Sequence, residues 1–161
     1  KEFEIGEIET IALEEFVVTK KFDLVCSFGL IEHYTNYKEV FQKHLDLVGA
    51  GGLIMVTTPN YKGWLQNKLH YFLDDQNLKR HNVTSMQPKQ WAEWASSAGF
   101  EVLYQGYFGY FSFWVEEADE RTTIKKWIAK GIIKSLPITS RLLPANTRGI
   151  SPFCGLVARR K

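Results

Sequence analysis

The chain has 161 residues, 45% of them apolar and 24% charged, with a formal net charge of +2. This composition excludes disordered and fibrous classes, and no stretch approaches the ~18 continuous apolar residues of a membrane span. A domain of this size buries roughly 70% of its unfolded surface, so it needs neither a metal nor disulfides to hold it together.

The small net charge argues against a general nucleic-acid binder, yet it hides a gradient. Residues 1–60 carry five Lys/Arg against ten Asp/Glu, and residues 120–161 carry ten against one. A tail that basic favours anionic partners, whether phosphate-bearing substrates, lipid headgroups or RNA, or it is a solvated face. The first sixteen residues are acidic and show no signal-peptide pattern. Cys26 and Cys154 sit in apolar, strand-like runs and are expected to be reduced core residues of a cytoplasmic protein.

Taken in chain order, Phe22–Ser27 (FDLVCS) reads as a strand covered on both faces of a parallel sheet. In Asn36–Val48 the apolar residues Tyr37, Val40, Phe41, Leu45 and Val48 recur at helical spacing. Asn36 is placed to cap this helix and Gly49 to end it in a left-handed conformation. Leu53–Thr58 is a second buried strand, stopped by Pro59, and the strand, helix and strand together form a right-handed βαβ unit. Residues 61–85 form a long, aromatic-rich, lid-like insert with helical character in Trp64–Leu73 and a polar stretch over Asp74–Thr84. Gln87–Ala98 is helical, with Pro88 in its first turn and Gly99 after its last. Phe100–Tyr104 and Ser151–Arg159 read as strands. They flank the aromatic run Tyr107–Trp114 and a basic helical insert at about 120–148, whose amphipathic part is Thr122–Leu136.

Four stretches, in this order and spacing, resemble the class I S-adenosylmethionine-dependent methyltransferases, particularly the small-molecule type of quinone biosynthesis. Phe22–Val25 running through Leu30-Ile31-Glu32-His33 is similar to that family's fourth strand and its "LEH" ending. Leu47–Asn60 resembles the "L-K-P-G-G" turn and fifth strand, with Gly49-Ala50 where Lys/Arg-Pro is usual. Ala98–Val102 is similar to the "aGFe" start of the sixth strand, and Ser151–Arg160 to the antiparallel seventh. The fold implied is a Rossmann-like, doubly wound α/β sheet with strand order 3-2-1-4-5-7-6.

Upstream, Gly6-Glu7-Ile8 is similar to the end of the third strand, where an acidic residue meets the cofactor's adenine. The first two strands and the glycine-rich turn have no counterpart, and no G-x-G-x-x-G occurs. Residues 1–161 are therefore expected to be the C-terminal part of a single methyltransferase domain, which agrees with a sequence starting at Lys1. The strand at Phe22 would then lack its inner neighbour, an aggregation-prone edge, and Lys1–Ile5 should have no adjacent strand.

The resemblance implies S-adenosylmethionine as cofactor, with Glu7 and Ile8 at its adenine and Ser27, Phe28 and Gly29 beside its methionine part. Gly29 is also explained by a plain turn. Catalysis needs the acceptor aligned and, for an O–H or N–H acceptor, deprotonated. His33 is the first candidate base, because an imidazole titrates near ~6.5. The Glu32-His33 pair is equally suited to orienting the next helix. His81 matches a lid histidine facing the acceptor, or is an exposed loop residue. Glu32, Asn60 and Tyr71 are candidates to bind a small-molecule or lipid-like acceptor, Tyr71 with Phe72 and the run from Tyr107 forming apolar walls. His44 and His70 read as packed histidines.

No metal is expected, since H-E-x-x-H and C-x-x-C are absent and the carboxylates are scattered. In Thr122–Leu136 the stripe Ile124, Trp127, Ile128, Ile132 and Leu136 beside four lysines suits a membrane surface, or a helix packed on its own domain. Against the enzyme stands a non-catalytic module of the same fold. A nicotinamide-dependent Rossmann protein is disfavoured by the Glu32-His33 placement and by the antiparallel last strand.

Overall fold

The computed structural model describes residues 20–115 and 122–161. Glu7, Ile8 and Lys1–Ile5 lie outside the described residues, so the expectations placed on them are not addressed by the fold.

Four strands form one sheet in the order β1-β2-β4-β3: β1 is Phe22–Phe28, β2 Val48–Pro59, β3 Phe100–Phe108 and β4 Phe153–Arg160. β1 pairs with β2 in parallel, and β4 runs antiparallel to both β2 and β3. The parallel pair arises from the crossover helix α1 (Tyr37–Leu47), and the mixed sheet matches the second half of the expected strand order. Among the described residues β1 is an edge strand.

α1 and α4 (Pro88–Ser97) cover one face. Phe41 of α1 stacks on Trp91 of α4 with ring centroids 6.4 Å apart, and both are fully buried with Ile54, Val56 and Leu156 of the strands. The other face is open among the described residues, where Leu24, Phe28 and Leu103 are exposed. This corrects the expectation for Phe22–Ser27. β1 alternates, with Val25 and Ser27 inward and Leu24, Cys26 and Phe28 outward. Cys26 is therefore exposed and only Cys154 is a core thiol.

Two caps also differ. The Asn36 side chain donates to the Glu39 carboxylate rather than accepting from the helix backbone. α1 passes directly into β2 at Val48, so Gly49 needs no left-handed conformation, and Gly51 adopts it instead (φ 72°). Gly99 ends α4 as expected, with φ 85°.

The insert after β2 holds α2 (Trp64–Leu73), α3 (Asp75–Lys79) and a 3-10 turn, Val83–Ser85. α5 (Thr123–Leu142) extends beyond the expected Leu136 and carries Pro137 within it. Thr122 caps it by accepting from the Lys125 N–H. Here the aromatic run divides: Tyr107 and Phe108 complete β3, whereas Phe111 and Phe113 are buried with Leu73 and Ala129 in a second core between α2 and α5.

Candidate functional site

The carboxyl ends of β1 and β2 carry the site, where open α/β sheets place ligands. β1 ends in Ser27, which is buried with no hydrogen-bond partner for its hydroxyl, and in Phe28, which is exposed. The Gly29 N–H donates to the Thr57 carbonyl at 2.9 Å, extending the pairing one residue past the strand. Gly29 then turns the chain with φ 64°, a conformation costing any other L-residue about 1–2 kcal/mol.

That turn delivers a 3-10 segment, Ile31–His33. Ile31 is fully buried and anchors it. Glu32 is also fully buried, and neither carboxylate oxygen has a hydrogen-bond partner. Burial pushes its carboxyl up to about 7, against a smaller opposing pull from its own backbone N–H, which lies too far or too poorly aligned for a hydrogen bond. A methyl group added at Gly29 would meet Glu32 Oε1 at 3.4 Å, so the carboxylate lies beneath the turn.

His33 is exposed, and its ring centroid is 4.5 Å from that of His81, which arrives from the insert. His81 Nδ1 lies 2.6 Å from the Asn77 carbonyl. A carbonyl only accepts, so this nitrogen carries a proton, and in the neutral ring Nε2 bears the lone pair. Asn82 ties the two segments together: its N–H donates to the Glu32 carbonyl at 2.6 Å and its side chain to that of Tyr34 at 3.0 Å. One donor atom each from Glu32, His33 and His81 lie within 4.8 Å of one another. The expectation of no metal constellation was drawn from local spacing, and the fold brings these groups together from separate segments.

Behind His81 lies a buried aromatic layer in which His70 is packed, as expected, and to which Tyr61 belongs as well. Tyr61 packs edge-on against His81 at 5.0 Å and, tilted by 50°, against His70 at 4.3 Å. Asn77 donates to the Tyr61 hydroxyl at 3.3 Å and to Asp74 at 3.1 Å. His70 is fully buried, its Nδ1 3.7 Å from Asp74, too long for a hydrogen bond. Burial pulls its pKa down to about 4, with Asp74 opposing. The i, i+4 spacings of His70 with Asp74 and of Asn77 with His81 were the available sequence signals. His44 is the packed histidine expected, donating through Nδ1 to the Val40 carbonyl at 2.7 Å.

Two other candidates stand elsewhere. Asn60 is buried, but its amide donates to the carbonyls of Arg148 and Ser151, both at 2.9 Å, and so clasps the loop before β4. Tyr71 is exposed on α2 and lines a cavity of about 500 Å³ with Phe72, Asp75, Leu78, Lys79 and Lys125, a lining that includes neither His33 nor His81.

A family model described as a methyltransferase domain matches residues 4–105. A SAM-dependent methyltransferase from Archaeoglobus fulgidus superposes with a TM-score of 0.55 at 16% identity, over 95% of this chain and 66% of that one. A protein described as a methyltransferase from Bacillus halodurans gives 0.53 at 16% identity, over 92% of this chain and 69% of that one. The chain thus spans about two thirds of the length of these structural relatives. No curated protein matches it in sequence.

Proposed function

The chain belongs to the methyltransferase domain family, and from that premise we propose that it is part of an S-adenosylmethionine-dependent methyltransferase acting on a small, lipid-like acceptor. The observation that carries this reading is the end of β1, where a buried, unpartnered Ser27 hydroxyl and the left-handed Gly29 lead into the segment whose Glu32 and His33 cluster with His81.

These residues fit the cofactor. Ser27 offers an unused polar group and Gly29 a turn without a side chain, so Ser27, Phe28 and Gly29 would border its methionine part. When bound, the cofactor supplies a methyl group on an electrophilic sulfonium. The chain's own part is to bind the acceptor and activate its reacting atom. Glu32, His33 and His81 are the groups for that task, and Tyr61 backs His81 from within.

The lipid-like character of the acceptor rests on α5. Its lysines and its unburied Ile124, Trp127 and Ile128 are the pattern of a helix lying on an anionic lipid surface. Such contact makes the protein membrane-peripheral on the cytoplasmic side. Among the described residues no helix is long and apolar enough to cross a membrane.

Titrating S-adenosylmethionine into the full natural chain by calorimetry tests the reading. Saturable binding is expected, and a flat titration overturns it in favour of the non-catalytic module.

A further inference from the structure

The geometry points to a binding site for a divalent first-row transition-metal ion formed by Glu32, His33 and His81. Three observations converge on it. One donor atom from each residue already lies within 4.8 Å of the others. Two donors on one tetrahedral ion stand about 3–3.5 Å apart, given bond lengths near 2.0–2.2 Å. His33 is exposed, so its side chain has room to rotate toward that spacing.

Second, Glu32 is fully buried and both of its carboxylate oxygens lack a hydrogen bond. A buried carboxylate without a partner is costly, and a cation beside it removes that cost.

Third, the surrounding contacts are those a metal-ligating histidine requires. His81 donates Nδ1–H to the Asn77 carbonyl at 2.6 Å, which holds the ring in the tautomer whose Nε2 can coordinate. Asn82 bridges the backbone of the 3-10 segment at the Glu32 and Tyr34 carbonyls, so the donor-bearing segments stand at a fixed separation.

The donor set identifies the ion. Two imidazoles and one carboxylate suit zinc, iron(II), cobalt or nickel better than magnesium or calcium, which take oxygen donors. Three protein ligands leave coordination positions open. Resting on the methyl-transfer reading, an open position would hold a hydroxyl-bearing acceptor by its oxygen, and His33 would then be a ligand rather than a base. The sequence hides this site because its ligands come from two distant segments, neither with a metal-binding spacing of its own.

Cobalt(II) is the probe. Titrated into the metal-free full natural chain, it should produce visible absorption bands saturating at one ion per chain, and zinc should displace it. Glu32→Gln, which keeps the buried shape, and His81→Ala should each weaken cobalt binding at least tenfold while leaving the circular dichroism spectrum unchanged. Should either variant unfold, His33→Ala, an exposed position, gives the same readout. Absent bands, or bands indifferent to these substitutions, overturn the site. S-adenosylmethionine binding without a cobalt spectrum removes the cation and leaves the methyl-transfer reading. A cobalt spectrum without S-adenosylmethionine binding supports the site and removes that reading.

Discussion

His70 shows how a single buried side chain sets a limit on the whole insert. It lies against Tyr61, Phe113 and Trp114, its nitrogens are without hydrogen-bond partners, and burial holds its pKa near 4. The unfolded chain titrates this group near 6.5, so between pH 6.5 and 4 the unfolded state binds more protons. Its neutral form supports the fold fully above 6.5, and that support is lost as pH falls toward 4. The shift corresponds to at most about 3 kcal/mol. Urea unfolding of the parent and of His70→Phe, followed from pH 7.5 to 4, should show the parent losing stability relative to the variant. Glu32, raised to about 7, changes stability in the opposite sense over part of this range, but it does so in both proteins and cancels in the difference. Parallel stability curves would remove the argument.

At the scale of elements, α5 has three faces. At about 100° per residue, Ala129, Ile132 and Leu136 fall in one sector, and this sector meets the second core. Ile124, Trp127, Ile128, Ile138 and Leu142 fall in another and remain exposed, Trp127 at 73%. Lys126, Lys130, Lys134 and Arg141 fill the sector between, and residues 122–161 contain no acidic side chain. The helical period was legible in the sequence, but a single stripe was expected to face one way. Which apolar sector turns inward depends on Leu73, Phe111 and Phe113, residues from elements that periodicity within α5 does not reach. The same limit explains Gly49: the sequence showed a turn near three glycines, and only pairing with β1 decided that Gly51 would take the left-handed position. Membrane contact by α5 predicts that the full natural chain floats with anionic phospholipid vesicles and not with neutral ones. A buried apolar side chain contributes about 1.5–3 kcal/mol and a nearby lysine about 1. Trp127→Gln should therefore weaken partitioning about tenfold, and added salt should weaken it further. Flotation unchanged by the substitution, or concentration-dependent self-association in its place, would assign this face to another partner.

For the molecule as a whole, the decisive asymmetry is a sheet that, among the described residues, has one face covered and one open. The parallel β1-β2 pair was legible in the pattern of FDLVCS, α1 and the apolar run Leu53–Thr58, whereas the strand order and the antiparallel last strand were implied by the resemblance to the methyltransferases. The open face was not. An apolar strand such as Phe22–Phe28 looks the same in sequence whether one or both sides are packed, and only the placement of α1 and α4 on the same side separates Val25 from Leu24. The candidate site divides along similar lines, since Glu32-His33 adjoins a recognisable strand, whereas the approach of His81 depends on Asn82 reaching back across the fold. The two cysteines report on the sheet directly. Cys154 is fully buried on β4, its thiol pushed up to about 12 by burial and so held protonated, which makes it unreactive. Cys26, one strand over from β2, points to the open face. A thiol reagent applied to the folded 161-residue chain should modify one cysteine rapidly and the second only after denaturant is added, and peptide mapping should place the fast site at Cys26. If Cys26 were as protected as Cys154, residues outside the described ones would have to cover that face, and Leu24 and Phe28 would be core positions instead of an exposed apolar surface.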